Sequence, residues 1–442
     1  MGAPPGGGWV HKMKWLYPGM GVKRWIALLV LGVVVIATGL IILWNTPMLS
    51  LYEETILSWV QVSELNPFLL GSFLVALGSL FLALAIKGGI RSVVGAIHPS
   101  DVPNLVEHVY KSRNLQKGLR IVTIGGGTGL STMLRGLKEY TSNITAIVTV
   151  ADDGGSSGRI RDDLGILPPG DVRNTLVALA DTEPLMEELF QYRFDWGEGL
   201  KGHSFGNLFI AAMTEITGDF EESIHAFSKV LAVRGRVLPS TLESVRLGAV
   251  YEDGSTMLGE SSVPQGHKKI QKVFLEPGNP EPLPAAIEAI LDADVVVIGP
   301  GSLYTSIIPN LIIPGFVAAL EATQALRIYV CNVMTQPGET DGYTASDHVQ
   351  ALQAHTGHRR ILDYVVVNKA LISEVQSRKY AKERAHPVRV DEERLERLGV
   401  KVHRGSFLDH QDLVRHDSHR LAAELMGLAS LYAKPKNGER AG

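Results

Sequence analysis

An α/β fold, with a doubly wound and mostly parallel sheet behind a two-helix transmembrane hairpin, is what this sequence predicts, and three observations predict it. Two uncharged apolar runs of spanning length lie before residue 91. Beyond residue 119, short β-branched runs alternate with Ala/Leu-rich stretches of helical length. Those runs are continuously apolar, the pattern of strands buried on both faces. Composition agrees, since 45% hydrophobic and 20% charged residues suit a chain that buries a real core.

The first run, "WIALLVLGVVVIATGLIILW" from Trp25 to Trp44, carries no charge over the roughly twenty residues that a helix needs to cross a hydrocarbon core. The second, Pro67 to Ile86, repeats the pattern. Trp25, Trp44 and Trp59 suit interfacial anchoring. Lys12, Lys14, Lys23 and Arg24 precede the first run, and Lys87 and Arg91 follow the second. The connection holds Glu53, Glu54 and Glu64 but no Lys or Arg. Positive-inside logic puts both ends in the cytoplasm, so residues 1–91 read as a multi-pass membrane anchor with the main domain cytoplasmic. A cleaved signal peptide is the rival reading of the first run, but the run is long for one and a second run follows. Neither run contains an ionisable group of the kind that marks a transport path.

A linker, 92–118, leads to one α/β domain, 119–433, and a short polar tail, 434–442. Candidate strands are Arg120 to Ile124, Ile144 to Val150, Asp294 to Ile298, Arg327 to Val333, Tyr364 to Asn368 and Lys401 to His403. Ser131 to Tyr140 and Leu208 to Thr217 read as crossover helices. Glu243 to Val273 departs from the alternation and reads as a small antiparallel insertion around an "EDGS" turn. The net charge, 42 basic against 46 acidic residues, is −4 and leaves no basic field for nucleic acid. Cys331 is the only cysteine, which excludes an internal disulfide and cysteine-rich zinc sites.

The chemistry concentrates where strands end. The first strand runs into "GGGTGLST", and glycines there let the backbone turn so that helix N-terminal amides face an anion. The second runs into "ADDGGSSGRIRDDLGILPPGDVRN", either a disordered surface loop or a place where backbone approaches a polar ligand. In it Asp152 and Asp153 suit ribose or sugar hydroxyls, or a divalent cation that holds phosphate oxygens. Arg159, Arg161 and Arg173 suit a diphosphate. "GHSFGNLF", "IGPGSLYTSIIPN" and "CNVMTQPGETDG" add Asn207, Gly301, Ser302 and Asn332 at successive strand ends, each of which taken alone is equally a cap or a turn. Gly154 to Gly158 also matches G-x-S-x-G, which would make Ser156 a nucleophile only on a strained elbow. His355 with His358, and His416 with His419, read as solvated surface histidines. Ser377 to Gly399 reads as a solvated run of mixed charge.

Taken in order, "IGGGTGLSTMLRGLK", "VTVADDGGSSGRIRDDLGILPPGDVRNTLVALA", "GHSFGNLF", "IGPGSLYTSIIPNL" and "NVMTQPGET" resemble the gluconeogenesis-factor (YvcK-like) family, which is related to the CofD-like 2-phospho-L-lactate transferases. The resemblance covers about Leu119 to Leu425 and excludes the hairpin. It implies a Rossmann-like fold with a nucleotide-diphosphate ligand at the carboxyl-terminal edge of the sheet. It also implies ligand contacts from Gly126, Gly127, Thr128, Gly129, Asp152, Asp153 and Ser156, then from Asn174, Asn207, Gly301, Ser302 and Asn332. Asp152 and Asp153 are the implied holders of Mg2+, with no cofactor required otherwise. In the transferase branch a phosphate-linked group moves from a guanosine diphosphate carrier to a deazaflavin. The gluconeogenesis-factor branch is associated with UDP-sugars such as UDP-N-acetylglucosamine, and with cell shape and wall synthesis.

Two functions compete. One is a membrane-tethered UDP-sugar regulator that reports to a protein partner in wall synthesis. The other is a transferase-type enzyme that uses Mg2+ and relies on positioning rather than a nucleophile. A nicotinamide-dependent dehydrogenase would rest on the first glycine loop alone, and Leu130 stands where its last glycine belongs. Self-association is left open.

Overall fold

The computed structural model describes residues 23–44, 66–97, 113–181, 184–370, 381–382, 384–408 and 416–432. Trp59 and the acidic connection, Lys12 and Lys14, most of the expected linker, the tail from Lys434 and part of the Ser377 to Gly399 run lie outside the described residues. The chain divides into two compact units, Met1–Ser112 and Arg113–Gly442.

In the first unit, helices α1 (Lys23–Trp44) and α2 (Pro67–Ile97) are long and apolar enough to cross a membrane. α2 outruns its expected end at Ile86, because "KGGIRSVVGAI" contains no proline to stop it and so takes the start of the expected linker into the helix. The two helices pack through glycines spaced by seven residues, Gly32 and Gly39 on α1 and Gly71 and Gly78 on α2. A Cβ on Gly39 would lie 2.8 Å from the Gly71 carbonyl oxygen, and one on Gly78 would lie 2.7 Å from that of Gly32. Residue 32 meets 78 and residue 39 meets 71, so the helices run antiparallel with their backbones almost touching.

The second unit is built on seven parallel strands in the order β10-β9-β8-β7-β1-β2-β3. These are β1 (Ile121–Gly125), β2 (Ile144–Val148), β3 (Arg236–Pro239), β7 (Val295–Ile298), β8 (Leu326–Val330), β9 (Tyr364–Asn368) and β10 (Lys401–Gly405). Every residue of β1, β2 and β7 is buried, as their uninterrupted apolar character predicts. Chain order diverges on either side of β1, toward β2 on one side and β7 on the other. That is the switch point at which open α/β sheets hold ligands. The antiparallel insertion is present as β4 (Arg246–Tyr251), β5 (Thr256–Leu258) and β6 (Ile270–Glu276), in the order β5-β4-β6. Gly254, at φ 82°, makes its turn.

The polar stretch after β2 is not a loose loop. It folds into α4 (Gly155–Leu164) and, beyond "GILPP", α5 (Gly170–Leu179), after α3 (Gly127–Leu137) has followed β1. Ile160, Val172 and Leu176 are buried, so a sparse apolar register is enough to seat both helices among the charges.

Candidate functional site

Three strand ends meet at the switch point. They enclose a cleft of about 210 Å³ lined by Gly127, Thr128, Gly129 and Thr132 after β1, Pro300, Gly301 and Ser302 after β7, and Asn332, Val333, Met334 and Gln336 after β8, together with His416. Gly127 opens α3 at φ 70°, a conformation that glycine takes at little cost. Gly129 packs so close to the Pro300 carbonyl that an added Cβ would lie 2.9 Å from its oxygen. The Gly127 N–H is taken by Asp171, so the first-turn N–H groups of α3 left for an anion are those of Thr128 and Gly129, which line the cleft. On another wall, Asn332 Nδ2 donates to the Gly301 carbonyl (2.8 Å) and to Gln336 Oε1 (3.3 Å), and Gln336 Nε2 donates to Ser302 Oγ (2.7 Å). These bonds fix the wall while leaving polar atoms along it.

The structure thus brings Gly127, Thr128, Gly129, Gly301, Ser302 and Asn332 into one cleft. It puts the other expected residues beside that cleft or behind it. Gly126 is the cap of α3 and is pressed against the Asp171 carboxylate, which also accepts the Gly127 N–H. Asp152 Oδ1 accepts the Gly154 N–H (2.8 Å) and its carboxylate takes the Ser157 hydroxyl, while Asp153 Oδ1 accepts the Ser261 N–H (2.9 Å). Asn174 accepts from Arg173 Nη2 (2.7 Å).

Ser156 and Asn207 are buried and bonded to each other, with Asn207 Nδ2 donating to Ser156 Oγ (3.1 Å) and Ser157 Oγ (3.4 Å). The Ser204 N–H also donates to Ser156 Oγ (3.3 Å), and His203 Nδ1 lies 3.2 Å from it. Ser156 accepts twice and so gives its proton to His203. It is a packed helix-start residue rather than a nucleophile on an open elbow, and it joins α4 to α7 (Phe205–Thr217), the helix after α6 (Pro184–Gln191). Asn207 Oδ1 remains buried without a partner.

Sequence reasoning missed the acidic concentration around Asp152. Burial first, and then the Asp152 charge, raise Asp171 to about 7. Glu260, delivered by the antiparallel insertion, is raised to about 8 by burial and then by Asp152, Asp171, Glu339 and Asp153. Burial holds Glu339 at about 7, with the Tyr304 N–H and Thr305 Oγ1 donating to it (both 3.2 Å). Asp152 is raised by its own burial. Two cations stand near, Arg173, lowered to about 10 by burial and with its Nε unpartnered, and Arg161, also lowered by burial, and together they are fewer than the carboxyls they face. Charge at this edge is therefore short of counter-charge.

A hard divalent cation fits that deficit. Among the described residues, however, no group of three or more His, Cys, Asp or Glu side chains converges to hold one unaided. Mg2+ binds such places through one or two carboxylates, and phosphate oxygens and water complete its shell.

The histidine expectations need correction. His355 is tied into the core, with its Nε2 accepting the Val273 N–H (3.0 Å) and its Nδ1 bonded to the Ala351 carbonyl (2.8 Å). His416 lines the cleft and is no surface residue. His358 and His419 are exposed as expected.

The family model described as 2-phospho-L-lactate transferase CofD matches residues 121–408, the whole sheet and every cleft-lining residue except His416. The chain belongs to the CofD family. Within it, a protein of Halalkalibacterium halodurans named gluconeogenesis factor is 55% identical over 311 residues, covering 70% of this chain and 96% of that protein. The gluconeogenesis factor of Bacillus subtilis is 52% identical over 310 residues, 70% of this chain and 98% of that protein. A relative from Nostoc that carries the gluconeogenesis-factor name is 50% identical over 418 residues, 93% of this chain and 91% of that protein, so that match extends into the hairpin unit. A crystal structure from Bacillus halodurans superposes with a TM-score of 0.68 at 55% identity, covering 70% of this chain and 99% of that one.

Proposed function

We propose that this CofD-family chain is a membrane-tethered regulator whose second unit, on the cytoplasmic side, binds a UDP-sugar of the UDP-N-acetylglucosamine type and couples it to cell shape and wall synthesis during gluconeogenic growth. The observation that carries the reading is the cleft itself. It combines the first-turn α3 amides at Thr128 and Gly129 for a diphosphate with the amides and hydroxyl of Asn332, Gln336 and Ser302 for sugar or base. The relatives named gluconeogenesis factor support the biological half, and Lys23, Arg24, Lys87 and Arg91 at the hairpin ends support the orientation. Asp152 and Asp153 would hold Mg2+, which would offset diphosphate charge, and a protein of wall synthesis would receive the signal.

One observation favours the transferase reading, namely the acidic edge of Asp152, Asp171 and Glu260 beside the cleft, which suits a metal-bridged phosphate. Calorimetry of the full chain in detergent with UDP-N-acetylglucosamine, UDP-glucose and GTP, each with and without Mg2+, followed by product analysis, separates the two. Binding of UDP-sugars without turnover is expected. Turnover, or binding of guanine nucleotide alone, would transfer the argument to the enzyme.

A further inference from the structure

A second cavity, of about 260 Å³, adjoins the cleft further along the carboxyl-terminal edge of the sheet, at the ends of β8 and β9. Asn332 and Val333 line both. Among the described residues the walls of the second are chiefly apolar, with Val333, Val367, Ala370, Pro387, Val388 and Val390 in them, and they carry two side-chain amides, Asn332 and Asn368.

Hydrogen bonds to the backbone orient both amides. The Gly301 carbonyl can only accept, so the Asn332 atom 2.8 Å from it is Nδ2, which also donates to Gln336 Oε1 (3.3 Å). Both Asn332 donors are thereby engaged, and on this half-buried residue the Oδ1 acceptor is left to a ligand. Asn368 is fixed in the same way, with Nδ2 donating to the Ala370 carbonyl (2.9 Å) and Oδ1 accepting the Ala370 N–H (3.2 Å), and its second Nδ2 hydrogen remains. The cavity thus offers one acceptor and one donor in an apolar setting.

That combination selects among the parts of a nucleotide. A phosphate would lose its water there with no row of donors to replace it, and a hexose would leave most of its hydroxyls unpaired. A base has two apolar faces and a polar edge. Reach agrees: neighbouring strands lie about 4.8 Å apart, so the ends of β1 and β8, with β7 between them, are separated by about 10 Å, which a diphosphate and a ribose together cover.

We infer that the second cavity holds the base of a nucleotide whose diphosphate sits at Thr128 and Gly129, and that it reads a ring N–H beside a carbonyl, the N–H on Asn332 Oδ1 and the carbonyl on Asn368 Nδ2. Uracil and guanine carry that pair. Cytosine and adenine present the reverse, a bare ring nitrogen beside an amino group, and are rejected because lone pair would face lone pair. This rests on the nucleotide-binding part of the reading given above and adds to it the class of base.

The test is calorimetry of the full chain in detergent with UDP, CDP, GDP, ADP and UDP-N-acetylglucosamine, and with inorganic diphosphate as competitor. It compares wild type with Val388→Phe and Val390→Phe, each of which puts a ring into the cavity from a half-buried position. One lost hydrogen bond and one opposed lone pair predict that UDP binds at least about tenfold more tightly than CDP, or GDP than ADP. A Phe variant that melts as wild type does should lose a similar factor for the preferred nucleotide and none for diphosphate. CDP bound as tightly as UDP together with ADP bound as tightly as GDP overturns the inference, as does undiminished nucleotide affinity in a folded Phe variant. Either result leaves the proposed function standing if UDP-N-acetylglucosamine still binds. A preference for GDP over both ADP and UDP supports the inference and counts against the UDP-sugar instead. If wild type binds none of these nucleotides, both fall.

Discussion

Replacing Asp171 by Asn tests the charge imbalance at the site. The carboxyl is shifted from an ordinary 3.8 to about 7, first by burial and then by repulsion from Asp152. Its folded-state affinity for a proton is thus raised. Well below pH 3.8 both folded and unfolded chains are protonated there, and the group costs nothing. As pH rises the unfolded chain ionises first, so stability falls until the folded carboxyl also ionises near 7. At 1.36 kcal/mol per pH unit, about 3 kcal/mol of stability is lost from pH 4.5 to pH 8, and about 2 kcal/mol once the shared repulsion with Asp152 is discounted. Asn cannot ionise, yet its Oδ1 can still accept the Gly127 N–H. The stability of Asp171→Asn relative to wild type should therefore rise steadily from pH 4.5 to pH 8, where the variant exceeds it. For a unit of this length each kcal/mol moves the melting midpoint by about 1.5 °C, so thermal melts of the ligand-free chain should separate by about 3 °C at pH 8. Parallel pH profiles for the two proteins, or a less stable variant at pH 8, would refute the reasoning.

Gly129→Ala would force a Cβ to within 2.9 Å of the Pro300 carbonyl oxygen; it should cost about 1–3 kcal/mol in chemical denaturation and narrow the cleft, weakening any ligand bound there. Asn207→Ala leaves the Ser156 and Ser157 hydroxyls short of a donor in a buried place, and a loss of about 1–3 kcal/mol is expected from the same measurement, with Asn207→Asp no substitute because it brings no amide donor. In the hairpin, Gly39→Leu would drive a side chain into the Gly71 carbonyl and Val75, so spin-label distances between α1 and α2 should lengthen by a few ångström, about one side-chain layer.

Much of the sheet was legible because its strands advertise themselves. Ile144 to Val148 and Val295 to Ile298 are apolar at every position, which only a strand covered on both faces requires. β3 escaped notice because "RVLP" is four residues long, ends in a proline and takes its strand form from pairing with Thr145 to Val148. The glycine loop was legible through its place after β1. Asp171 and Glu260 were not, because their importance lies in proximity to Asp152, and Glu260 comes from an insertion whose sequence speaks only of a turn. His416 was misread through its spacing to His419. The helix begins at Ser418, so the two histidines share no helical face, and His416 is directed by its stack on Phe407 instead.

The position of β1 at the switch point has a consequence for biogenesis. The walls of the cleft come from Gly127 to Gly129 and from Pro300 to Ser302, and these meet only when β7 has paired with β1. A nascent chain emerging from the ribosome can align β1, β2 and β3 well before β7 has been synthesised, and at that stage the anion-facing turn of α3 has no opposite wall. Such distant parallel pairings form late, after the loop-closure entropy of the intervening chain has been overcome. Any ligand gripped between those walls would therefore stabilise finished chains and do nothing for truncated ones, making occupancy of the cleft a mark of completed synthesis.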